Sequence, residues 1–357
     1  MNKFSRKIIL DCERMKYPNT GLYHYCLNLG IALQNTINKE TEEVYFYVRK
    51  NAKQEFTNSN NFLHQHSLHK FYMPFKKKNS IWHCTYQGSN YFPLTKKFPV
   101  VLTIHDLNFL YDTSKNKKKK AQYLAQVAAK INSANYIIAI SQFVLNDIQQ
   151  HFDLKNKPCK VIYNGCNTAL QIDSLLPAIT KQIKAPFIYT IGTVLEKKNF
   201  HVLPCLLQNN NRLLIISGQV QSQEYKKKII IEAQKYGVEN RVIFTGPISE
   251  QEKNWYLQNC ECFAFPSLAE GFGLPVIEAM YYGKPVLLST LTSLPEIGGD
   301  VAYYFRDFNP TNMQGTLQES LQHYQTFNPT QKIKERAAIF DWNNAAEEYL
   351  EVYRSLL

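Results

Sequence analysis

Short apolar runs alternate with helix-like segments along this 357-residue chain, and few folds are compatible with that pattern. Each run is rich in β-branched residues, and the segment after it spaces its apolar residues as a helix does. Strands that alternate with helices form parallel sheets with helices on both faces. The runs lie at residues 7–10, 44–48, 100–104, 135–140, 160–163, 187–191, 213–217, 242–244, 262–265 and 285–288.

Ten predicted strands are too many for one comfortable sheet, so we expect two doubly wound α/β domains. Between the two sets of strands, residues 167–186 contain Pro177 and Pro186 and show no strong strand pattern. This stretch indicates the linker between the domains. After the second domain, the chain ends in a predicted amphipathic helix. The predicted bounds of the three parts are 1–172, 173–338 and 339–357.

The composition argues against a membrane-spanning or disulfide-stabilised protein. The longest apolar stretches are strand-sized, far below the roughly 20 residues that a spanning helix needs. The first ten residues run directly into the charged Asp11 and Glu13, which is not the pattern of a secretory signal. The eight cysteines form no Cys-x-x-Cys pair and no dense framework, so we expect a reduced, cytoplasmic environment.

The formal net charge of +12 is unevenly distributed, with lysine clusters at 76–78, 117–120 and 226–228. Such clusters favour a polyanionic partner, and nucleic acid and an anionic lipid surface are the two candidates. The alternative is an ordinary solvated basic face.

The most informative segment is 263–278, Phe-Ala-Phe-Pro-Ser-Leu-Ala-Glu-Gly-Phe-Gly-Leu-Pro-Val-Ile-Glu. An apolar strand ends at Pro266, a loop with two glycines follows, and Pro275 suits the first turn of the next helix. The free N–H groups at the start of that helix and the positive end of its dipole favour an anion. Gly271 and Gly273 would let the backbone approach a phosphate closely. The segment therefore predicts a phosphate-binding loop.

Two carboxylates flank this predicted loop, because Glu270 precedes it and Glu278 lies one turn into the helix. A carboxylate accepts hydrogen bonds from hydroxyl groups, so the pair indicates a sugar on one side and a ribose on the other, as in a nucleotide-sugar pocket. The alternative is that both residues are ordinary solvated charges. A dinucleotide fingerprint fits poorly, because Val276 occupies the third glycine position and no acidic residue follows a second strand at the expected spacing.

The spacing Glu270-x7-Glu278 within Glu-Gly-Phe-Gly-Leu-Pro-Val-Ile-Glu-Ala-Met resembles the signature of retaining GT-B glycosyltransferases of family 4, also called glycosyl transferases group 1. This family includes bacterial polysaccharide mannosyltransferases and sucrose and glycogen synthases. The similarity extends to Gly-Thr-Val-Leu-Glu-Lys-Lys-Asn at 192–199, Gly-Lys-Pro-Val at 283–286 and Ser-Leu-Pro-Glu at 293–296. The resemblance implies two Rossmann-like domains that face each other across a cleft. The first would bind the acceptor, the second would bind the donor, and the last helix would cross back to the first.

The resemblance also implies roles for individual residues. It assigns the donor diphosphate to Lys198, the sugar hydroxyls to Glu270 and the ribose to Glu278. Family members often carry an arginine where this chain has Thr193 or Lys197, and Lys197 supplies charge without a bidentate fork. The implied donor-binding set is Gly21, Gly192, Thr193, Lys197, Lys198, Gly271, Phe272, Gly273, Leu274 and Glu278, and the implied catalytic residues are His105, Glu270 and Lys198.

The N-terminal half carries weaker marks of the same family. Residues 18–21, Pro-Asn-Thr-Gly, follow the first strand and resemble the glycine loop between the donor and acceptor sites. His105 and Asp106 end an apolar strand, where open parallel sheets place ligand contacts. The resemblance implies that His105 faces the transferred sugar and that Asp106 steadies the loop, and the alternative for His105 is a structural role. Weaker candidates at strand ends facing the cleft are His83 and Ser141.

No Asp-x-Asp occurs in the sequence, so the usual carboxylate pair for a divalent metal on a nucleotide diphosphate is missing. We therefore expect no cofactor and no metal requirement, with Lys198, Lys197 and the helix N-terminus meeting the charge of the leaving group. The resemblance implies transfer with retention through a front-face displacement, in which the departing phosphate helps to deprotonate the acceptor. In a polar stretch we expect a surface loop rather than a metal site at His64, His66 and His69.

The sequence thus predicts a glycosyltransferase that moves a hexose, mannose by likeness, from a GDP- or UDP-linked donor to a saccharide or lipid-linked acceptor in cell-surface polysaccharide synthesis. An anionic surface at the inner face of the membrane is a further expected partner, because residues 117–120 begin a predicted helix on the acceptor domain; nucleic acid is not expected. The alternatives are an epimerase or phosphorylase of the same fold, or a non-catalytic protein that binds nucleotides or polyanions.

Overall fold

The computed structural model describes residues 5–18, 20–49, 55–56, 61–73, 79–93, 98–111, 115–166, 177 and 183–357. The chain divides into two compact units. Unit 1 comprises Met1–Gly165 together with Phe340–Leu357, and unit 2 comprises Cys166–Ile339. The predicted boundary at residue 172, most of the predicted linker and the lysines at 76–78 lie outside the described residues.

Unit 1 is built on a seven-stranded sheet in the order β3-β2-β1-β4-β5-β6-β7, and all of its strand pairs are parallel. Strand β5 is buried along its whole length, which explains why its sequence is a nearly continuous apolar run. The strands are β1 (Arg6–Asp11), β2 (Glu42–Val48), β3 (Phe62–His64), β4 (Ser80–Cys84), β5 (Val100–Ile104), β6 (Tyr136–Ala139) and β7 (Cys159–Val161).

Among the described residues of unit 1, four α-helices pack with the sheet, and a polar side chain caps the first turn of each. They are α1 (Gly21–Thr36), α2 (Lys117–Ser133), α3 (Gln142–His151) and α10 (Trp342–Leu356), and their caps are Thr20, Asn116, Ser141 and Asp341. Helix α10 packs against α1 within this unit. The apolar side of α10 that the sequence predicts is buried, with Ala345, Tyr349, Val352 and Tyr353 in the core.

Unit 2 is built on a six-stranded parallel sheet in the order β10-β9-β8-β11-β12-β13. Its strands are β8 (Phe187–Ile191), β9 (Leu213–Ser217), β10 (Val242–Gly246), β11 (Cys262–Phe265), β12 (Val286–Ser289) and β13 (Tyr303–Phe305). Its helices are α4 (Gln223–Lys235), α5 (Glu250–Asn259), α6 (Leu274–Tyr281), α7 (Leu294–Gly298), α8 (Pro310–Phe327) and α9 (Thr330–Ala338). Two parallel-sheet, Rossmann-like units confirm the predicted fold class.

Among the strands that the structure describes, β3, β4 and β13 are not predicted by the apolar runs, and only the expectation that His83 ends a strand points to β4. Strand β4 lies at the centre of the unit 1 sheet, and all five of its residues are buried. Its polar Ser80 and His83 break the apolar run, although His83 satisfies both ring nitrogens through hydrogen bonds inside the core. Strands β3 and β13 are three-residue edge strands, which are too short to show periodicity.

Within the described ranges, no helix combines the length and the apolar composition needed to span a membrane. The longest is α8, with 18 residues and a polar sequence along much of its length.

Candidate functional site

Two loops of unit 2 follow neighbouring strands at the point where the strand order reverses. From β8 the chain runs outward through β9 and β10, and it then returns to the other side of β8 with β11. Strands β8 and β11 are parallel, so their carboxyl ends lie at the same edge of the sheet. Open α/β sheets bind ligands outside the carboxyl ends of strands at such a reversal. The loop after β8 carries Lys198, and the loop after β11 carries Glu270.

Lys198 and Glu270 form an ion pair at this edge. Lys198 Nζ donates a hydrogen bond of 2.6 Å to Glu270 Oε1, and the two side chains are 12% and 13% exposed. The same Nζ lies 4.7 Å from the centre of the Phe265 ring, a distance at which a cation is attracted to an aromatic face. An ammonium group has three N–H donors, so Lys198 can bind Glu270 and an anion at the same time.

Nearby lysines set the charge of Glu270. Burial alone would raise the pKa of this carboxyl group, but Lys198 and Lys197 outweigh burial and hold the pKa below its usual value. Glu270 is therefore a carboxylate at neutral pH, which accepts hydrogen bonds and donates none.

Hydrogen bonds from the loop after β12 fix the backbone around Glu270. The Glu270 N–H donates to Thr292 Oγ1 at 3.0 Å, and Ser293 Oγ donates to the carbonyls of Glu270 and Phe272 at 3.0 and 2.9 Å. Thr292 has a φ of 56°, which is unusual for a β-branched residue. Such strain persists only where the surroundings impose it, and here it accompanies the contact that holds the Glu270 backbone.

Two glycines make room for the lysine and for the helix start. Gly192 has a φ of 153°, and a Cβ at this position would lie 3.1 Å from Lys198 Cε. Gly273 has a φ of 108° and caps α6, and a Cβ there would lie 2.9 Å from Leu294 Cδ2. Because L side chains rarely adopt such φ values, glycine is needed at both positions to place Lys198 and the N-terminal N–H groups of α6.

Glu278 on α6 also has a lysine partner. Lys253 Nζ on α5 donates to Glu278 Oε1 at 2.7 Å and lies 2.7 Å from Glu250 Oε2. The side chains of Lys253 and Glu278 are 12% and 16% exposed. Burial alone would lower the pKa of Lys253, but Glu278 and Glu250 raise it above its ordinary value, so Lys253 stays protonated. Each of the two predicted carboxylates therefore has its own lysine.

The same two loops and the start of α6 hold the other predicted residues of unit 2. The Leu268 N–H donates to the Lys197 carbonyl at 2.8 Å, which joins the loop after β8 to the loop after β11. The Lys197 side chain is exposed. Along this edge the chain places Gly192, Thr193, Lys197, Lys198, Glu270, Gly271, Phe272, Gly273, Leu274 and Glu278.

In unit 1, His105 follows β5 in a buried setting. Its Nε2 lies 2.7 Å from the Thr85 carbonyl, and its ring packs edge-on against Tyr25 with 4.6 Å between centroids. Burial lowers the pKa of His105 to about 4, so the ring is neutral at physiological pH. A carbonyl only accepts hydrogen bonds, so Nε2 carries the proton and Nδ1 is left as an acceptor.

Gln87 holds the backbone of His105 and Asp106. The His105 N–H donates to Gln87 Oε1 at 3.1 Å, and Gln87 Nε2 donates to the Asp106 carbonyl at 2.8 Å. Asp106 Oδ1 accepts from the Asn108 N–H at 2.9 Å, so Asp106 does steady this loop. The position of His105 therefore depends on a side chain from the neighbouring strand's loop.

Gly21, the remaining predicted donor residue, is the first residue of α1 and is exposed. No atom of the described residues lies within 4 Å of a Cβ added to it, so their packing does not require glycine there. Asn19 of the same predicted loop lies outside the described residues.

His83 and Ser141, which were predicted to face a ligand cleft, are both buried and have hydrogen-bond partners within unit 1. His83 is fully buried, with Nε2 2.8 Å from Thr103 Oγ1 and Nδ1 2.7 Å from the Tyr353 hydroxyl. Ser141 caps α3, and its Oγ accepts from the Val144 N–H at 3.2 Å. In both cases a polar residue near a strand end is held by the unit's own core and helix start.

Across the parts of the chain that the structure describes, no three His, Cys, Asp or Glu side chains are grouped so that they could hold a metal ion. The surface loop expected at His64, His66 and His69 is only partly correct, because His64 ends β3 and Ser67–Lys70 forms a short 3-10 helix. His66 Nδ1 accepts from the Leu68 N–H at 3.3 Å, and His69 Nδ1 lies 3.0 Å from the Tyr47 hydroxyl.

Sequence reasoning missed the residues that hold the predicted ones in place, namely Gln87, Lys253, Thr292 and Ser293. One available signal was Ser249-x-x-Glu252, a capping box that predicts the start of α5 and so places Lys253 in its first turn. No local pattern reveals that α5 lies beside α6.

Two family models match most of the chain. Residues 173–337 match the family described as Glycosyl transferases group 1, and residues 44–170 match the family described as Glycosyltransferase Family 4. The chain is 24% identical to O-antigen chain mannosyltransferase B of Escherichia coli, over 98% of this chain and 100% of that protein. It is 27% identical to the serotype-specific mannosyltransferase WbdA of Escherichia coli over 64% of this chain, but it spans only 30% of WbdA.

Solved structures share the fold along nearly the whole chain. Sucrose-phosphate synthase from Thermosynechococcus elongatus superposes with a TM-score of 0.75 at 19% identity, covering 98% of this chain and 99% of that one. Anabaena Alr3699/HepE in complex with UDP and glucose superposes with a TM-score of 0.73 at 18% identity, covering 98% of this chain and 100% of that one.

Proposed function

Because this chain belongs to the GT-B glycosyltransferases with a Glycosyltransferase Family 4 and a group 1 domain, we propose that it transfers mannose from a nucleoside diphosphate to a saccharide or lipid-linked acceptor. The transfer proceeds with retention at the anomeric carbon, needs no metal and belongs to cell-surface polysaccharide synthesis.

The observation that carries this proposal is the Lys198–Glu270 pair at the start of α6. A lysine with spare N–H donors, next to the free N–H groups of a helix start, suits a diphosphate. A carboxylate beside that anion suits sugar hydroxyls, which donate hydrogen bonds. A site for inorganic phosphate alone would have no use for Glu270.

The donor diphosphate is proposed to bind the N–H groups of Gly273 and Leu274 together with Lys198. As the sugar–phosphate bond breaks, negative charge grows on the departing diphosphate. Lys198, Lys197 and the positive end of the α6 dipole stabilise that charge, and such preorganised charges commonly supply a large share of catalysis. The charge is thus met without a carboxylate-bound metal ion.

Mannose is favoured as the transferred sugar by the curated relatives. O-antigen chain mannosyltransferase B of Escherichia coli aligns with 98% of this chain and with 100% of its own length. The structure of HepE, by contrast, contains UDP and glucose. A UDP-hexose is therefore a second candidate donor beside GDP-mannose. The acceptor is proposed to be a growing saccharide.

Peripheral binding to an anionic membrane is part of the proposal. Helix α2 begins with lysines at 117–120 and has no acidic residue in its first turn, and Lys117, Lys118 and Lys119 are exposed. Positive charge at a helix N-terminus opposes the helix dipole, so helix stability does not explain the cluster. Near an anionic surface each lysine contributes on the order of 1 kcal/mol.

Sedimentation with liposomes tests this membrane step. Anionic liposomes should retain the protein at low salt and release it at high salt, because salt screens the attraction. Changing Lys117, Lys118 and Lys119 to Glu should abolish retention, whereas the same change at 226–228 should not. Equal, negligible binding to anionic and neutral liposomes would remove the membrane step from the proposal.

Thermal-shift measurements with GDP, UDP, GDP-mannose and UDP-glucose test the donor site. A ligand at about 100 times its dissociation constant should stabilise the folded protein by about 2.7 kcal/mol. GDP-mannose with a mannose-terminated oligosaccharide should then yield a longer product that keeps the α configuration, as read by NMR. Absence of a shift with every nucleotide would contradict the proposal, and turnover that requires inorganic phosphate would identify a phosphorylase instead.

A further inference from the structure

Two carboxylates stand beside the proposed diphosphate site, and each is matched by a lysine. Lys198 pairs with Glu270 at 2.6 Å, and Lys253 pairs with Glu278 at 2.7 Å. Lys198 is proposed to bind the donor diphosphate, whereas Lys253 has no role in the proposed function. Without a positive partner, Glu278 would repel the diphosphate whose ribose it is proposed to bind.

A firmly capped helix start holds Lys253. Ser249 Oγ accepts from the Glu252 N–H at 3.2 Å, and Glu252 Oε2 accepts from the Ser249 N–H at 2.9 Å. The Lys253 N–H then donates to the Ser249 carbonyl at 2.9 Å. Such a reciprocal capping box fixes the first helical turn. The backbone position of Lys253 is therefore well defined.

The Lys253–Glu278 contact is the sheltered part of a three-residue cluster. Glu250, the second carboxylate on Lys253, is 56% exposed, whereas Lys253 and Glu278 are 12% and 16% exposed. Exposed ion pairs contribute little, and desolvated ones depend strongly on their geometry. The contact between Lys253 and Glu278, rather than that with Glu250, is therefore expected to fix the positions of the side chains.

We propose that Lys253 is a positioning residue that aims the Glu278 carboxylate at the ribose hydroxyls of the donor. This inference rests on the proposed function, in which those hydroxyls donate to Glu278. Lys253 occupies Glu278 Oε1, and the second carboxylate oxygen accepts from the ribose. Loss of Lys253 then weakens recognition of the ribose and leaves the phosphate contacts in place.

Titration calorimetry with a nucleoside diphosphate and its 2′,3′-dideoxy analogue tests this assignment. The base is whichever of guanine and uracil the wild-type protein prefers. Lys253→Met should weaken binding of the ribonucleotide by at least about 10-fold, the lower bound for loss of one charge-assisted hydrogen bond. The same variant should bind the dideoxy analogue with a clearly smaller loss, because the unpaired Glu278 repels both diphosphates but only the ribonucleotide loses a ribose contact. Lys235→Met removes an exposed lysine paired with Glu232 at 2.7 Å, and it should leave both affinities unchanged.

Equal weakening of both ligands by Lys253→Met would overturn the inference, because it would indicate direct phosphate binding or a general loss of structure. No weakening of either ligand would overturn it as well. If Lys253→Met does not fold, Lys253→Gln, which keeps a neutral donor, should show the same selectivity in weaker form.

Glu278→Gln separates this inference from the proposed function. If Glu278→Gln loses the preference for the ribonucleotide and Lys253→Met keeps it, only the role of Lys253 is wrong. If wild type and Glu278→Gln bind the ribonucleotide equally, or the wild type binds no nucleoside diphosphate, the proposed site is wrong and the role of Lys253 falls with it.

Discussion

Lys198 Nζ lies 2.6 Å from Glu270 Oε1, and both side chains are largely removed from water. The two residues are 72 positions apart in sequence and come from loops after adjacent parallel strands. Glu270 therefore depends on Lys198 for its charge, and each of the two side chains is held in position by the other.

Removal of one partner should destabilise the protein more than replacement of both. Lys198→Met leaves the largely buried Glu270 carboxylate without its hydrogen-bonded lysine. This change should lower the free energy of unfolding by about 2–3 kcal/mol. The double variant Lys198→Met/Glu270→Gln carries no unpaired charge and should recover much of that loss. Urea unfolding followed by circular dichroism measures both values, and strictly additive losses would show that the pair is not coupled.

The contribution of Glu270 should depend on pH in one direction. Its pKa in the folded protein lies below the ordinary value of 4.5, so the stabilisation is fully present above that value and is lost as the pH falls through the folded pKa. The difference in free energy of unfolding between wild type and Glu270→Gln should therefore shrink in acid. A difference that grows on acidification would contradict this assignment.

Two buried histidines should make the protein less stable in mild acid. Burial lowers the pKa of His83 to about 3 and that of His105 to about 4, against 6.5 for an ordinary histidine. As the pH falls from about 6.5 towards 4, the unfolded chain binds protons that the folded chain excludes, so stability falls. Melting temperatures at pH 7 and pH 5 should differ less in His83→Gln than in wild type, and equal differences would refute this cause.

Gln87→Met should slow transfer about 10-fold, because it removes both hydrogen bonds that hold the backbone of His105 and Asp106. If Gln87 acts through His105, the same change should have no further effect in a His105→Ala background. Gln65→Met is a suitable control. Gln65 Nε2 donates to the Tyr47 carbonyl at 3.1 Å, and this hydrogen bond does not involve the loop of His105 and Asp106. Additive losses in the double variant would mean that Gln87 acts by another route.

Transfer should persist in excess EDTA, since lysines and a helix N-terminus are proposed to meet the charge of the leaving group. Rates with and without EDTA, measured on the same preparation, provide the check. If EDTA abolishes turnover and magnesium or manganese restores it, the metal-free mechanism is wrong.

The sequence was sufficient to predict the fold class and the part of the candidate site that lies on the loop before α6. Continuous apolar runs predicted strands buried on both faces, and Glu270, Gly273 and Pro275 fall on a loop and helix start as their residue types require. Strand β4 has no continuous apolar run because its polar His83 is buried with Thr103 and Tyr353 as hydrogen-bond partners, and these are distant in sequence.

The supporting residues could not be predicted for the same reason. Lys253 meets Glu278 across 25 residues, and Ser293 meets Glu270 across 23. Such contacts follow from how α5, α6 and the loop after β12 pack, and packing has no local periodicity. His105 shows the converse, because its strand-end position was readable but its neutral state and tautomer depend on burial and on Thr85.

The most direct test of the central claim is the rate of sugar transfer by Lys198→Ala, measured with saturating donor and compared with wild type. Removal of one preorganised charge stabiliser should cut turnover roughly 10²- to 10³-fold, with a smaller loss in Lys197→Ala and none in Lys332→Ala, whose exposed lysine pairs with Asp300. A folded Lys198→Ala enzyme that transfers sugar at the wild-type rate would show that the diphosphate does not bind at the start of α6.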